Sequence, residues 1–264
     1  MQNELLPFLI KYIILIMSKN IPKTELLYPK SSPIDHLSLY EGISLMIKEQ
    51  NNAILEVKRS IKSIEDAIEA IYKHLKLNSK GRLLYVGAGT SGRIGVQDAV
   101  ELFPTFNWPR ERLDFIIAGG INALLNSIEN AEDDTRSAEK IVEDKLISYE
   151  DVVIGIAASG NTPFTCRVLE KAKNQDALTI AISNNHTGKI LKYGDHKIVL
   201  DTKAEVIAGS TRLKAGTAQK ICLNVISSMV MVKMGRVKNG MMNEMVPTNE
   251  KLRLRKEKLI NFIN

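Results

Sequence analysis

Two short loops, Gly87-Ala-Gly-Thr-Ser-Gly92 and Ala157-Ala-Ser-Gly-Asn-Thr162, decide how this chain is read. The first follows the apolar run RLLYV (82–86), and the second grows out of DVVIGIA (151–157). Each leads into a stretch of helical character. Glycine lets a backbone turn tightly and approach a ligand, and the hydroxyls and unpaired N–H groups at a helix start offer donors to an anion. A pair of such strand–loop–helix units in one domain points to a site that grips a phosphorylated small molecule between strand ends.

Outward from these loops the same grammar repeats. RLLYVG (82–87), LDFIIAG (113–119), DVVIGIA (151–157), LTIAIS (178–183) and HKIVLD (196–201) are continuously apolar, as strands covered on both faces are. The intervals between them leave room for crossover helices. The predicted fold is α/β, a five-stranded, mostly parallel sheet flanked by helices, with its loops gathered at the strand C-terminal ends. A last long helix is predicted from Leu213 to about Met234. Upstream, residues 36–77 read as a long helical region. Ile54, Val57, Ile61, Ile64, Ile68, Ile71 and Leu75 recur three and four apart, a narrow seam that serves either packing within the chain or a dimer. The division expected is an arm at 1–35, helices at 36–77, the α/β domain with its phosphate-gripping loops at 78–236 and a tail at 237–264.

Composition narrows the function. The 264 residues, 44% hydrophobic and 25% charged, suit a globular protein with a well-buried core. The net charge of +6 is spread along the chain and is densest at Lys251–Lys258, which reads as a solvated helix face. A single Trp and no interleaving of aromatic with basic residues argue against nucleic-acid binding. Cys166 and Cys222 lie in apolar helical stretches and read as buried thiols in a reducing compartment. Four scattered histidines (36, 74, 186, 196) give no ligand spacing, so no metal is expected. Leu5–Met17 is apolar but short for a bilayer span, broken by Pro7 and Lys11, and lacks a signal-peptide layout, so no membrane association is expected. Two starts are open, Met1 and Met17; on the second reading the apolar stretch lies ahead of the protein proper.

Gly87, Gly89 and Gly92 satisfy G-x-G-x-x-G, but the second strand ends in Ala118-Gly-Gly120 with no acid before Glu129 to hold a ribose. Nicotinamide and flavin are therefore set aside. Ser159, Asn161 and Thr162 precede Pro163, a favoured first helical residue, so helix capping and anion binding are compatible there. A third hydroxyl cluster, Gly209-Ser-Thr-Arg-Leu-Lys214, brings Ser210, Thr211 and Lys214, with a surface turn as the competing reading. Glu101 stands in a last helical turn, where a carboxylate opposes the helix dipole by up to about 1 kcal/mol. Glu132, in Asn130-Ala-Glu-Asp-Asp-Thr135, stands where acids favour a helix start. Spacing alone nominates neither acid.

Taken together, GRLLYVGAGTSGRIGVQDAVE (81–101), the NAEDD segment (130–134), DVVIGIAASGNTP (151–163), EVIAGSTRLKAGTAQK (205–220) and PTNEKLRLR (247–255) resemble the N-acetylmuramic acid 6-phosphate etherases, built on the sugar isomerase (SIS) fold. The resemblance implies a cytoplasmic homodimer that splits the D-lactyl ether of N-acetylmuramate 6-phosphate by elimination and water addition, without a cofactor. It implies Glu101 as proton donor to lactate and Glu132 as the base at carbon 2. It places the phosphate and sugar among Gly89, Thr90, Ser91, Ser159, Gly160, Asn161, Thr162, Ser210, Thr211 and Lys214. The same fold also hosts silent sugar-phosphate sensors and isomerases, which remain the alternatives. Departures from the family are Asn161, where an Arg is usual, an arm over 24–40 that keeps only fragments such as Thr24-Glu25, and a chain that ends soon after the TNEKL motif.

Overall fold

A computed structural model describes residues 21–29, 32–247, 250 and 253–254. The apolar stretch 5–17, the starts at Met1 and Met17 and most of the basic run 251–258 lie outside the described residues.

The five apolar runs are the five strands, β1 Leu83–Gly87, β2 Leu113–Ile117, β3 Val152–Ala157, β4 Leu178–Ser183 and β5 His196–Val199. All pair in parallel, in the order β2-β1-β3-β4-β5. The crossovers are helices: α3 Gly89–Phe106 after β1, α4 Thr135–Asp144 after β2 and α5 Pro163–Asn174 after β3. Alternate strand residues serve opposite faces. Leu83 and Tyr85 join a core with Ala99, Leu102 and Ile226, whereas Leu84 and Val86 join one with Val142, Phe164 and Leu169. Every residue of β1 and β3 is buried, which is why the runs lack polar alternation.

The expected helical region 36–77 consists of two helices. It forms α1, Leu39–Arg59, and α2, Ile61–Leu77. Ser60 marks the joint: its hydroxyl donates to the Val199 carbonyl at 2.7 Å, at the end of β5, while its N–H still reaches the Glu56 carbonyl and its own carbonyl still accepts from Ile64. Ser38 opens α1 with a reciprocal capping box to Glu41. The expected seam is only partly buried. Val57, Ile64, Ile68, Ile71 and Leu75 are buried within the chain, while Ile54 and Ile61 are 57% and 59% exposed. Along α1, Leu39, Tyr40, Ile43, Ile47 and Ile54 remain as an exposed apolar set.

The last long helix, α6, spans Lys214–Lys233 and packs against α1, α2 and α3. It is long and apolar enough to cross a membrane by composition, yet more than half of it is buried inside the protein as a core helix. Beyond it, Val237–Lys238 and Met241–Met242 form a small antiparallel hairpin turned by Asn239 and Gly240, both in the left-handed region. Asn-Gly is the dipeptide that such a turn favours.

Candidate active site

The sheet order reverses between β1 and β3, because β1 is followed by its outer neighbour β2 and then by β3 on its other side. Loops leaving such neighbouring strands diverge and open a crevice at their C-terminal ends. There a cavity of about 410 Å3 is found, within the usual size range for small-molecule sites. Ala88, Gly89, Thr90 and Ser91 line it from one side, and Ala158, Ser159, Asn161, Thr162 and Pro163 from the other.

Both loops are held by their glycines. A Cβ on Gly87 would stand 2.7 Å from the Gly92 nitrogen, so the first loop closes only without side chains there. Gly160 has φ +74°, and a Cβ on it would meet Ser183 Oγ at 2.4 Å and Gly188 Cα at 2.5 Å. Helices α3 and α5 start with no side-chain cap on their N-terminal amides. Two helix N-termini with unfilled donors therefore face one cavity, where an anion gains from both N–H groups and dipoles. No Lys, Arg or His stands among the lining residues.

Several predicted residues already have partners inside the fold. Ser91, buried at the cavity wall, donates to Gln219 Oε1 at 2.9 Å, and Gln219 donates to Asn184 Oδ1 at 2.8 Å. Ser159 Oγ accepts the Asn161 N–H at 3.1 Å, and Asn161 Oδ1 accepts the Lys189 N–H at 3.1 Å. Asn161 thus braces the turn at 188–192 while lining the cavity.

The third cluster contributes only in part. Thr211 lines the cavity, as does Gly209; Ser210 and Lys214 do not. Lys214 is 2% exposed, its Nζ donating to Glu49 Oε2 at 2.8 Å and lying 5.6 Å over the Tyr28 ring. The Tyr28 hydroxyl donates to the same Glu49 at 2.6 Å. The N-terminus of α6 is filled too: Glu205 accepts from the backbone N–H of Lys214 and Ala215 at 3.3 and 2.9 Å. Burial raises the Glu205 carboxyl above the usual range despite those two bonds. With a carboxylate seated there, the start of α6 is closed to a ligand anion.

The two predicted acids part company. Glu132, on a short 3-10 turn (Ala131–Asp133) after left-handed Asn130, lines the cavity beside Gly89. Glu101 is exposed on α3, twelve residues or roughly 18 Å of helix axis beyond Gly89, and lines no part of the cavity. Within one chain the two do not meet. The second carboxylate in the cavity is Glu25, from the arm. Asn185, itself buried, pins that arm: its Oδ1 accepts the Lys23 N–H at 2.6 Å and its Nδ2 donates to Thr24 Oγ1 at 3.1 Å. The retained Thr24-Glu25 fragment was the sole sequence signal for this position.

Cys166 and Cys222 are free and buried, and burial pushes their thiols up to about 11 and about 12.

Fold and site together define a SIS-domain protein. A family model for the glucokinase regulatory protein N-terminal SIS domain matches residues 64–173. Phosphoheptose isomerases from Francisella tularensis (TM-score 0.59, 18% identity, 74% of this chain and 100% of that one) and Neisseria gonorrhoeae (TM-score 0.54, 19% identity, 73% and 98%) share the fold. The sequence is closer to another group. It is 41% identical to the N-acetylmuramic acid 6-phosphate etherase of Oenococcus oeni over 90% of this chain and 79% of that protein. It is 44% identical to that of Lactobacillus johnsonii over 87% and 76%. The chain belongs to the N-acetylmuramic acid 6-phosphate etherase family.

Proposed function

We propose that this chain cleaves the D-lactyl ether at carbon 3 of N-acetylmuramic acid 6-phosphate, giving N-acetylglucosamine 6-phosphate and D-lactate in cytoplasmic amino-sugar recycling. One observation carries the reading: in a chain of this family, Glu132 stands on the wall of a cavity into which two uncapped helix N-termini point.

The chemistry follows from that arrangement. The phosphate sits on the amides and hydroxyls of the two loops and holds the sugar in reacting geometry. The sugar ring opens to an aldehyde, which acidifies the proton on carbon 2. Glu132 takes that proton, the electron pair forms the double bond between carbons 2 and 3, and the bond from carbon 3 to the lactyl oxygen breaks. The oxygen takes a proton and leaves as lactate, and water then adds at carbon 3. The substrate's own carbonyl receives the charge, so no cofactor is needed.

Glu101 is the proton donor to lactate in this reading, and its exposed position requires delivery from a second copy of the chain. The exposed apolar set on α1, and Val100 beside Glu101 at 51% exposure, support a homodimer.

The direct test is D-lactate release from N-acetylmuramic acid 6-phosphate, together with deuterium uptake at carbon 2. Glu132→Gln is expected to lower both by about 100- to 10,000-fold. Exchange that persists in Glu132→Gln removes Glu132 as the base. Sugar-phosphate binding without lactate release by wild type leaves a sensor or an isomerase.

A further inference from the structure

A second cavity of about 300 Å3 adjoins the first and shares with it only Ala88, Gly89 and Glu132. Its outer wall is the connection from β2 to α4, residues 118–131. That connection is a built wall. Arg93 on α3 donates through Nε to the carbonyls of Ala123 and Leu124 at 3.0 and 3.2 Å, and through Nη2 to that of Asn126 at 3.0 Å. Gly119, at φ +83°, lets Ile128 pack so close that a Cβ there would meet it at 2.9 Å. The bonds from Arg93 occupy two of the five guanidinium N–H groups and fix the plane of the fork. The lining thus combines small apolar surface (Ala118, Ala123, Ile128) with a held cation and the exposed polar side chains of Asn126 and Ser127.

We propose that this second cavity is the compartment for the group leaving carbon 3, a short branched ether substituent that carries a methyl and a carboxylate. The proposal rests on the etherase reading above and deepens it. The base that takes the carbon 2 proton lies on the wall common to both cavities. With the sugar phosphate in the first cavity, the substituent on the adjacent carbon crosses Glu132 into the second. The methyl meets the apolar wall, and the carboxylate meets Arg93, whose charge-assisted bonds are stronger than neutral ones. Glu132 becomes neutral as it accepts the carbon 2 proton, so its repulsion disappears at the step that makes lactate. Glu129, exposed on the lining, opposes an anion and favours its departure once the bond has broken.

Ser127→Trp, at an exposed position on the lining, puts an indole into this cavity. The KM for N-acetylmuramic acid 6-phosphate is expected to rise at least tenfold. Deuterium exchange at carbon 2 of N-acetylglucosamine 6-phosphate, which occupies the first cavity alone, stays within twofold. A second arm needs no variant: the 3-O-methyl ether of N-acetylglucosamine 6-phosphate, as a competitive inhibitor of wild type, binds at least tenfold more weakly than the lactyl ether. An unchanged KM in a folded Ser127→Trp, a parallel loss of exchange and lactate release, or equal affinity for the two ethers overturns the compartment and leaves the etherase reading standing. Wild type that releases no lactate overturns both.

Discussion

Lys214 Nζ and Glu49 Oε2 stand 2.8 Å apart in the interior, joining the first residue of α6 to the middle of α1. The one lysine that the sequence offered to the phosphate is thereby a fastening of the fold. Its removal leaves a buried carboxylate whose remaining partners are Tyr28 and Asn52. Lys214→Met is expected to cost about 3–5 kcal/mol of stability in urea unfolding, the usual penalty for orphaning a buried charge. Adding Glu49→Gln should restore much of it. A variant as stable as wild type but weak in phosphate binding would return Lys214 to the ligand.

Gly160→Ala tests the second loop. The new Cβ collides with Ser183 Oγ and Gly188 and must hold φ +74°. Backbone strain alone costs on the order of 1–3 kcal/mol. The expected result is a lowered Tm and at least tenfold weaker binding of N-acetylglucosamine 6-phosphate by calorimetry. Wild-type affinity in this variant would place the phosphate elsewhere.

Glu101 and Glu132 permit a mixing experiment. If each site takes Glu132 from one copy and Glu101 from the other, Glu101→Gln and Glu132→Gln chains are each inactive alone. After dissociation and reassociation together they regain up to about a quarter of the wild-type lactate release, since half of random dimers are mixed and one of their two sites is intact. Two inactive chains that stay inactive when mixed would confine both acids to one copy.

Asp151 sets an acid limit on stability. Burial alone would raise its carboxyl, but the Arg82 side chain at 2.8 and 3.0 Å and the backbone N–H groups of Arg82 and Ser148 outweigh it and hold it below the usual value of 3.8. A carboxyl lowered in the folded state adds stability that is present above its unfolded value and lost as pH falls towards its folded one. Glu205, raised by burial, works the other way: its contribution is present at low pH and lost as pH rises through its folded value. Unfolding followed below about pH 4 should show wild type losing stability more steeply than Asp151→Asn. Parallel curves would show that this pair carries no part of the acid transition.

The three central strands were legible because each is a contiguous apolar run whose residues are all or nearly all buried, and local composition reports that directly; the edge strands β2 and β5 are only partly buried. The two cradle loops were legible for a similar reason: Gly87 and Gly160 answer steric demands made by atoms close to the turn. The Asn239-Gly240 hairpin was present in the sequence as a turn dipeptide and was read only as tail. The joint at Ser60 was not legible: the partner of its hydroxyl there, Val199, lies 139 residues away.

By itself, then, the sequence determined the α/β class, the sheet's five strands and the glycine-held loops that line the cavity, all of which announce themselves in short contiguous stretches. Only the tertiary structure decided which polar groups face the cavity. It turned Lys214 inward to Glu49, closed the start of α6 with Glu205, brought Glu25 to the cavity through Asn185 and carried Glu101 out along α3. The physical reason is that a side chain's direction depends on its angular position around a helix and on partners distant in the chain. A motif's spacing records neither.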